Sequence, residues 1–517
     1  MTASTPESPG PHATDERALE ESLVWINRNG IGIQIMETLA VGAFLTAYAI
    51  KLDASNFLIG LLAALPHLSQ LAQIPAIHTV DRTPSRRKVY TISGMVARPM
   101  FLVIALTVLI PDPGIALTIV AVAFFLRYVA GAFIGCAWNA WMRELIPDDL
   151  MGRVFGERQK KMIGIGILVS LSAAGFIDLW EGFVPLPETY AFGIVYALAF
   201  GGGMYAVMTA RHIHDVVMPP HPEPVPLMSR LGEPFRQQNF RRLLAFLASW
   251  NFAINLAAPF FTVFMLRGME MSLFVVIGLA TLSQFAAYFT VTHWGEIADR
   301  FSNKAVLRFC APLFIASIFA WTFTTMPDVH PLTYPLLIAI HVATGLANAG
   351  VSLASGNITL KLAPRGNATA YLATSAMVCA AAASAATMVG GATADFFASM
   401  QLSLILRWQS GDAATEFNAM DFTYWDFFFI FATVIGLYAL HRLSLVREDG
   451  EPQENVVFNR LMRDAWRSLR NLSSIAGLRS STDFPMAVFI DEPTSGNGSE
   501  PTEGGDDDPT DGGPRRT

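Results

Sequence analysis

Long apolar runs separated by short polar interruptions dominate the chain from residue 25 to residue 443. A bilayer core takes about 20 mostly apolar residues per helix, and a window of that length finds about 12 candidate spans. They lie near 25–50, 56–79, 89–110, 115–142, 162–180, 190–210, 243–266, 272–294, 305–326, 334–360, 368–395 and 422–443. Proline and glycine fall inside several of them, as at Pro66, Pro99, Pro259 and Gly201 to Gly203. Membrane helices tolerate this because neighbouring helices satisfy the freed backbone groups. The pattern predicts an all-α integral membrane protein with twelve transmembrane helices.

Composition agrees with the pattern. Hydrophobic residues make up 52% of the 517 positions and charged residues only 15%, with a mean hydropathy of +0.41, which is too apolar and charge-poor for a soluble chain of this length. Much of the acidity behind the net charge of −7 sits in the tail from Asp491 to Gly513, a composition that buries no core and predicts disorder. The three cysteines, Cys136, Cys310 and Cys379, fall inside apolar runs without metal-ligand spacing, so no disulfide framework or zinc site is expected. The first thirty residues lack the basic and apolar stretches of a cleaved signal peptide, so the first span is expected to direct insertion.

Lysine and arginine retained in short loops set topology. One set of loops is basic throughout, for example Arg82, Arg86, Arg87 and Lys88, or Arg300, Lys304 and Arg308, while the opposite set holds only Lys51, Arg267 and Arg407. Both termini are therefore expected in the cytoplasm of a multi-pass protein of the plasma (inner) membrane.

The polar segments also repeat. Asp81-Arg82 in "IHTVDRTPSRRK" and Asp299-Arg300 in "GEIADRFSNK" are 299 − 81 = 218 positions apart. Gly60 and Gly278, and Asn139 and Asn357, keep the same spacing, and Pro147 and Pro364 are 217 apart. Internal symmetry of this kind marks transporters built from related halves. The expected organisation is a cytoplasmic segment 1–24, a six-helix bundle 25–210, a cytoplasmic linker 211–242 and a second six-helix bundle 243–445. An amphipathic helix, 446–480, and an acidic disordered tail, 481–517, follow. In the former, Val457, Phe458, Leu461, Met462, Ala465, Leu469 and Leu472 recur at helical spacing among arginines, which suits either the inner leaflet or a dock on the protein's own loops.

On these residues the chain resembles the major facilitator superfamily of secondary transporters, over roughly residues 20–445. "GEIADRFSNK" is similar to the family's loop signature, with Gly295, Asp299, Arg300 and Lys304 in place; the first copy keeps Asp81, Arg82, Arg86 and Arg87 but has Ile77 where the family usually has glycine. The resemblance implies two pseudo-symmetric bundles whose loop motifs hold the halves together on the cytoplasmic side when the site faces outward. An aspartate at a helix end can accept from backbone donors of a facing helix, and the adjacent arginine can bridge to carboxylates or carbonyls. Positive-inside charge alone explains the arginines but not the repeated Asp-Arg pair.

Ionisable groups within spans are costly in lipid and are usually placed for function. Glu37 lies near the middle of the first span and Arg127 near the middle of the fourth. "RYVAG", Arg127 to Gly131, resembles the family's fourth-helix pattern in part, with Ala130 in the position often taken by glutamine. The resemblance implies that both helices border one central cavity, so Glu37 is a candidate proton carrier set by Arg127, against the alternative of a structural ion pair. Further candidates for proton coupling or substrate binding are Arg98, His67, Asn251, Asn255, Gln284, His341 and Asn348, each of which has interhelical hydrogen bonding as its plain alternative. Asn251 and Asn255 share one helix face. The small-residue run Ala380 to Ala392 is expected to allow close helix packing.

No G-x-x-x-x-G-K-[ST] loop occurs, which disfavours ATP-driven pumping. The family's Gly-Pro-rich fifth-helix signature is missing from Met162 to Trp180, which weakens drug antiport. The expectation is a monomeric secondary transporter, not an enzyme, without cofactor or metal, whose partners are a small-molecule solute, protons or another ion, and lipids, but no nucleic acid. The alternative is a membrane receptor or assembly factor that keeps the same scaffold.

Overall fold

The computed structural model describes residues 11–216, 232–325, 330–364, 368–410, 413–422 and 424–448. The chain divides into two units, Met1–Glu454 and Asn455–Thr517, and the described residues all belong to the first. The second unit, with nearly all of the expected amphipathic helix and the whole acidic tail, lies outside the described residues, as does linker stretch 217–231.

Among the described residues, twelve helices are long and apolar enough to cross a membrane. They are α1 (Ala18–Lys51), α2 (Asn56–Arg82), α3 (Arg86–Leu109), α4 (Pro113–Leu145), α5 (Leu150–Phe183) and α6 (Thr189–Ala210), followed by α7 (Gln238–Gly268), α8 (Leu273–Arg300), α9 (Asn303–Phe323), α10 (Thr333–Leu362), α11 (Ala370–Phe397) and α12 (Tyr424–Ser444). Several run past the apolar windows. The fifth window, 162–180, extends to Leu150–Phe183 because "GERQKK" (Gly156 to Lys161) is rich in good helix formers that hydropathy discounts. α1 is broken: one helix ends at Ala40, Gly42 takes φ 65°, and a second helix begins at Ala43. Only glycine adopts that conformation without strain.

Serine caps mark matching points of the two halves. Ser55 accepts from Leu58 N at the start of α2, and Ser272 from Val275 N at the start of α8. Ser85 and Ser302 do the same for α3 and α9. Both pairs are 217 apart (272 − 55, 302 − 85), whereas the Asp-Arg pairs are 218 apart. α8 therefore holds one residue more than α2 before its Asp-Arg, and the loop after it one fewer.

Within the first half α1 packs on α5 and α6, and α3 on α4; within the second, α7 packs on α11 and α12, α8 on α10, and α9 on α10 and α12. Contact between the halves runs through α2 against α11 and α5 against α8. The α2–α11 seam is backbone-close: a Cβ on Gly60 would meet the Thr387 carbonyl, and one on Gly391 the Asn56 carbonyl. Gly390, in the same small-residue stretch, lies against the Leu256 carbonyl of α7.

One element departs from the all-helical expectation. Between α11 and α12, β1 (Leu402–Ser410) and β2 (Ala413–Phe422) form an antiparallel hairpin with Leu402 opposite Phe422 and Leu406 opposite Phe417. Leu402, Leu404, Leu406 and Trp408 alternate with Ser403, Ile405, Arg407 and Gln409, mostly the period of a strand rather than of a helix, and a 20-residue hydropathy window does not register it.

Candidate functional site

The two central ionisable residues meet. Arg127 of α4 donates through Nη2 to Oε1 of Glu37 on α1. The arginine side chain is 6% exposed and the glutamate 39%, so the pair has a buried and an open end. The guanidinium lies 4.3 Å from the centre of the Tyr128 ring and 5.4 Å from that of Phe101, a cation–π setting suited to an arginine. A buried arginine at this depth is costly without a counter-charge, which is why Glu37 holds Arg127 in place.

The open end of Glu37 lines a cavity of about 460 Å³ whose walls include Thr46, Pro66, Tyr128, Pro259 and Thr262. α1, α2 and α4 of the first half and α7 of the second contribute to it, and so does the α1 break at Gly42. The lining is largely apolar with a few hydroxyls around one carboxylate, an arrangement typical of small-molecule sites.

The other candidates divide. His67 of α2 faces Asn255 of α7, so the two halves approach each other here. The amides of Asn255 and Asn251 each donate back to their own helix, to Asn251 O and Leu247 O, both at 2.8 Å. Arg98 is buried against Gly203 and beside Tyr90, near enough to Glu37 and Arg127 to interact with their charges, though it is not among the residues lining the cavity. His341 bonds to Leu337 O at 2.8 Å and meets Trp321 edge-on. Gln284 and Asn348 are exposed and, among the described residues, have no hydrogen-bond partner.

Several loop-motif residues have partners within their own halves. Arg86 donates to the Val80 and Thr83 carbonyls. Arg87 donates to Arg211 O at 3.1 Å and pairs with Asp215 at 3.6 Å, and Asp215 also accepts from Ser85 Oγ at 2.5 Å. In the second half Glu448 accepts from Lys304 N at 2.8 Å, Asn303 Nδ2 at 3.1 Å and Lys361 Nζ at 2.9 Å. Burial alone would raise the Glu448 carboxyl, but the Lys304 amide, Lys361 and Asn303 outweigh it and hold it below the ordinary carboxylate value. Gly295 faces Leu353 of α10 and Arg300 lies over the Phe301 ring. Asp81 is half-buried and Ile77 is 40% exposed. Arg82 and Asp299 are exposed and, among the described residues, join no hydrogen bond or ion pair.

Bonds from aspartate to helix N-termini between the halves lie at the other ends of the helices. Asp395 of α11 accepts from Asn56 N and Phe57 N at 3.1 and 2.9 Å, and Asp178 of α5 accepts from Leu273 N and Phe274 N at 3.2 and 3.0 Å. Arg267 of α7 donates to Ala54 O at 2.7 Å and to Asn56 Oδ1 at 3.4 Å. The sequence reading does not single out these aspartates. The signal for them is their spacing, 395 − 178 = 217, which matches the serine caps.

Known proteins carry the same arrangement of helices. The profile of the Major Facilitator Superfamily matches residues 30–388. Solved structures share the fold at low identity. The nucleoside transporter NupG has a TM-score of 0.60 at 13% identity, covering 83% of this chain and 100% of that one. A bacterial homologue of the iron transporter ferroportin in an inward-facing state has 0.58 at 9%, covering 83% and 98%. A bacterial homologue of the human lysosomal transporter Spinster, inward-facing and unoccupied, has 0.52 at 15%, covering 75% and 84%. No curated protein sequence matches the chain significantly. The chain belongs to the Major Facilitator Superfamily and is a multi-pass membrane transporter.

Proposed function

We propose that this transporter is a secondary active carrier that moves a small organic solute by alternating access, with Glu37 as the proton-carrying group and Arg127 as its partner. The observation that carries the reading is the Glu37–Arg127 pair, buried at the arginine end and opening at the glutamate end onto a cavity of about 460 Å³ walled by both halves. Ionised, the carboxylate is satisfied by the guanidinium. A proton reaching it through the cavity removes that attraction and frees Arg127 to hold a polar or anionic group of the solute. Loss of the proton restores the pair and expels the solute, which couples the two fluxes. His67 and Asn255, facing each other across the halves, sense whether the halves are together on their side of the cavity.

On this reading the basic loops face the cytoplasm, with both termini on that side, and the membrane is the plasma (inner) membrane. Asp81, Arg82, Arg86 and Arg87 with Gly295, Asp299, Arg300 and Lys304 then act as the cytoplasmic gate in the opposite state, and the protein works as a monomer without a cofactor. Reconstitution into proteoliposomes tests the coupling, with labelled sugars, organic acids and cationic dyes screened under an imposed proton gradient. Gradient-driven accumulation is expected in the wild type and is expected to fall at least about tenfold in Glu37→Gln while solute exchange persists. Undiminished accumulation in that variant removes Glu37 from the coupling role. Absence of flux for every solute class favours the receptor reading.

A further inference from the structure

We infer that Asp178 and Asp395 are paired gating residues that latch the two halves together on the face opposite the basic loops, and that both bonds open when the cavity is exposed on that face. The inference rests on the alternating-access reading.

The physical basis is the first turn of a helix, whose amide donors have no partner within the helix. In α2, Ser55 satisfies Leu58 N from within the same half, but Asn56 N and Phe57 N find their acceptors on Asp395 of the other half. In α8, Ser272 satisfies Val275 N, and Leu273 N and Phe274 N find theirs on Asp178 of the other half. Each helix start is thus complete only when the facing half is in place. Each carboxylate also sits at the positive end of a helix dipole, where a negative charge is favoured.

The same geometry occurs twice about the internal repeat. Acceptors and recipients share one spacing, 395 − 178 = 217 and 273 − 56 = 217. One such contact would be an incidental packing detail, whereas two related by the symmetry of the halves act on the same rigid-body coordinate. Asp395 is exposed and Asp178 half-buried, and Asp178 borders a hollow of about 580 Å³ shared with Lys51, Glu181, Glu188 and Glu270. Water can therefore replace the aspartates on the amides as the halves part. The bonds are individually modest and reversible, as a gate requires, and Arg267 reinforces the α2 seam alone.

The test follows the distance between the halves at each face. Spin labels go on Gly182→Cys with Ser399→Cys at the latch face, and on Lys88→Cys with Glu296→Cys at the basic face, in protein with Cys136, Cys310 and Cys379 replaced by serine. All four labelled positions are exposed, and a side chain at Gly182 enters open space. Asp178→Ala and Asp395→Ala are each expected to raise the population open at the latch face about fivefold, and together about 25-fold. The 182–399 distances then lengthen and the 88–296 distances shorten. Unchanged distributions in the folded double variant overturn the proposal. If the double variant does not fold, either single variant serves, and one that folds with an unchanged latch-face distance overturns it equally. The distances are read without solute, so the latch can fail while Glu37 coupling stands, and the converse.

Discussion

The two faces of the bundle use the same device for different ends. On the basic face, an acid just beyond the last helix of each half, Asp215 or Glu448, holds the start of that half's own third helix. On the other face, Asp178 and Asp395 hold the helix starts of the opposite half. An aspartate or glutamate over a helix N-terminus is the common chemistry, and what differs is whether donor and acceptor move together. Bonds within one half survive a rocking motion and keep each bundle rigid. Bonds between halves must break in it, so they set its equilibrium. In this state Asp215 and Glu448 bond within their own halves, and Asp178 and Asp395 bond across them.

That contrast can be broken most severely at the α2–α11 seam. Gly391→Val sets side-chain atoms against the Asn56 carbonyl and the Phe57 Cα, a backbone clash with no flexible side chain to yield. It is expected to cost about 3 kcal/mol in the state with the latch closed, read as a lengthened 182–399 distance.

A smaller effect is expected at the brace. Glu448→Gln removes a buried, ionised acceptor of backbone and side-chain donors and is expected to cost about 2 kcal/mol, measured as a lower apparent melting temperature without a change in the distances between halves. Because the folded carboxyl lies below its ordinary value of 4.5, this stabilisation is present above that pH and is lost as pH falls through the folded value. Wild type and variant should therefore converge in acid; a gap that persists there contradicts the assignment.

The smallest effect belongs to the motif. Asp299→Asn touches an exposed side chain without a partner among the described residues, so stability in this state should change by less than about 0.5 kcal/mol. A larger loss, measured by the same melting assay, would mean that Asp299 already bridges the halves.

Much of the architecture is readable from the chain because a bilayer punishes polar atoms so heavily that spans announce themselves. The twelve helices and the duplicated halves follow from that cost and from the repeat, while the pairing of Glu37 with Arg127 is expected from the family resemblance. The β-hairpin escapes such a reading because a helix-length window averages away the alternation of Leu402, Leu404 and Leu406. Asp178 and Asp395 escape it because a lone acid near a span end looks like any interfacial residue, and their donors are backbone amides, which carry no residue identity.

The sequence by itself determined which segments are apolar enough to enter the membrane and how the halves correspond, since each depends on local composition or on spacing along the chain, and it marked Glu37 and Arg127 as charges within spans. Only the tertiary structure decided that His67 faces Asn255 across the halves, and that Asp178 and Asp395 of one half bond to the main chain of the other. Those contacts depend on how two rigid bundles are tilted against each other, and a single sequence encodes more than one such tilt.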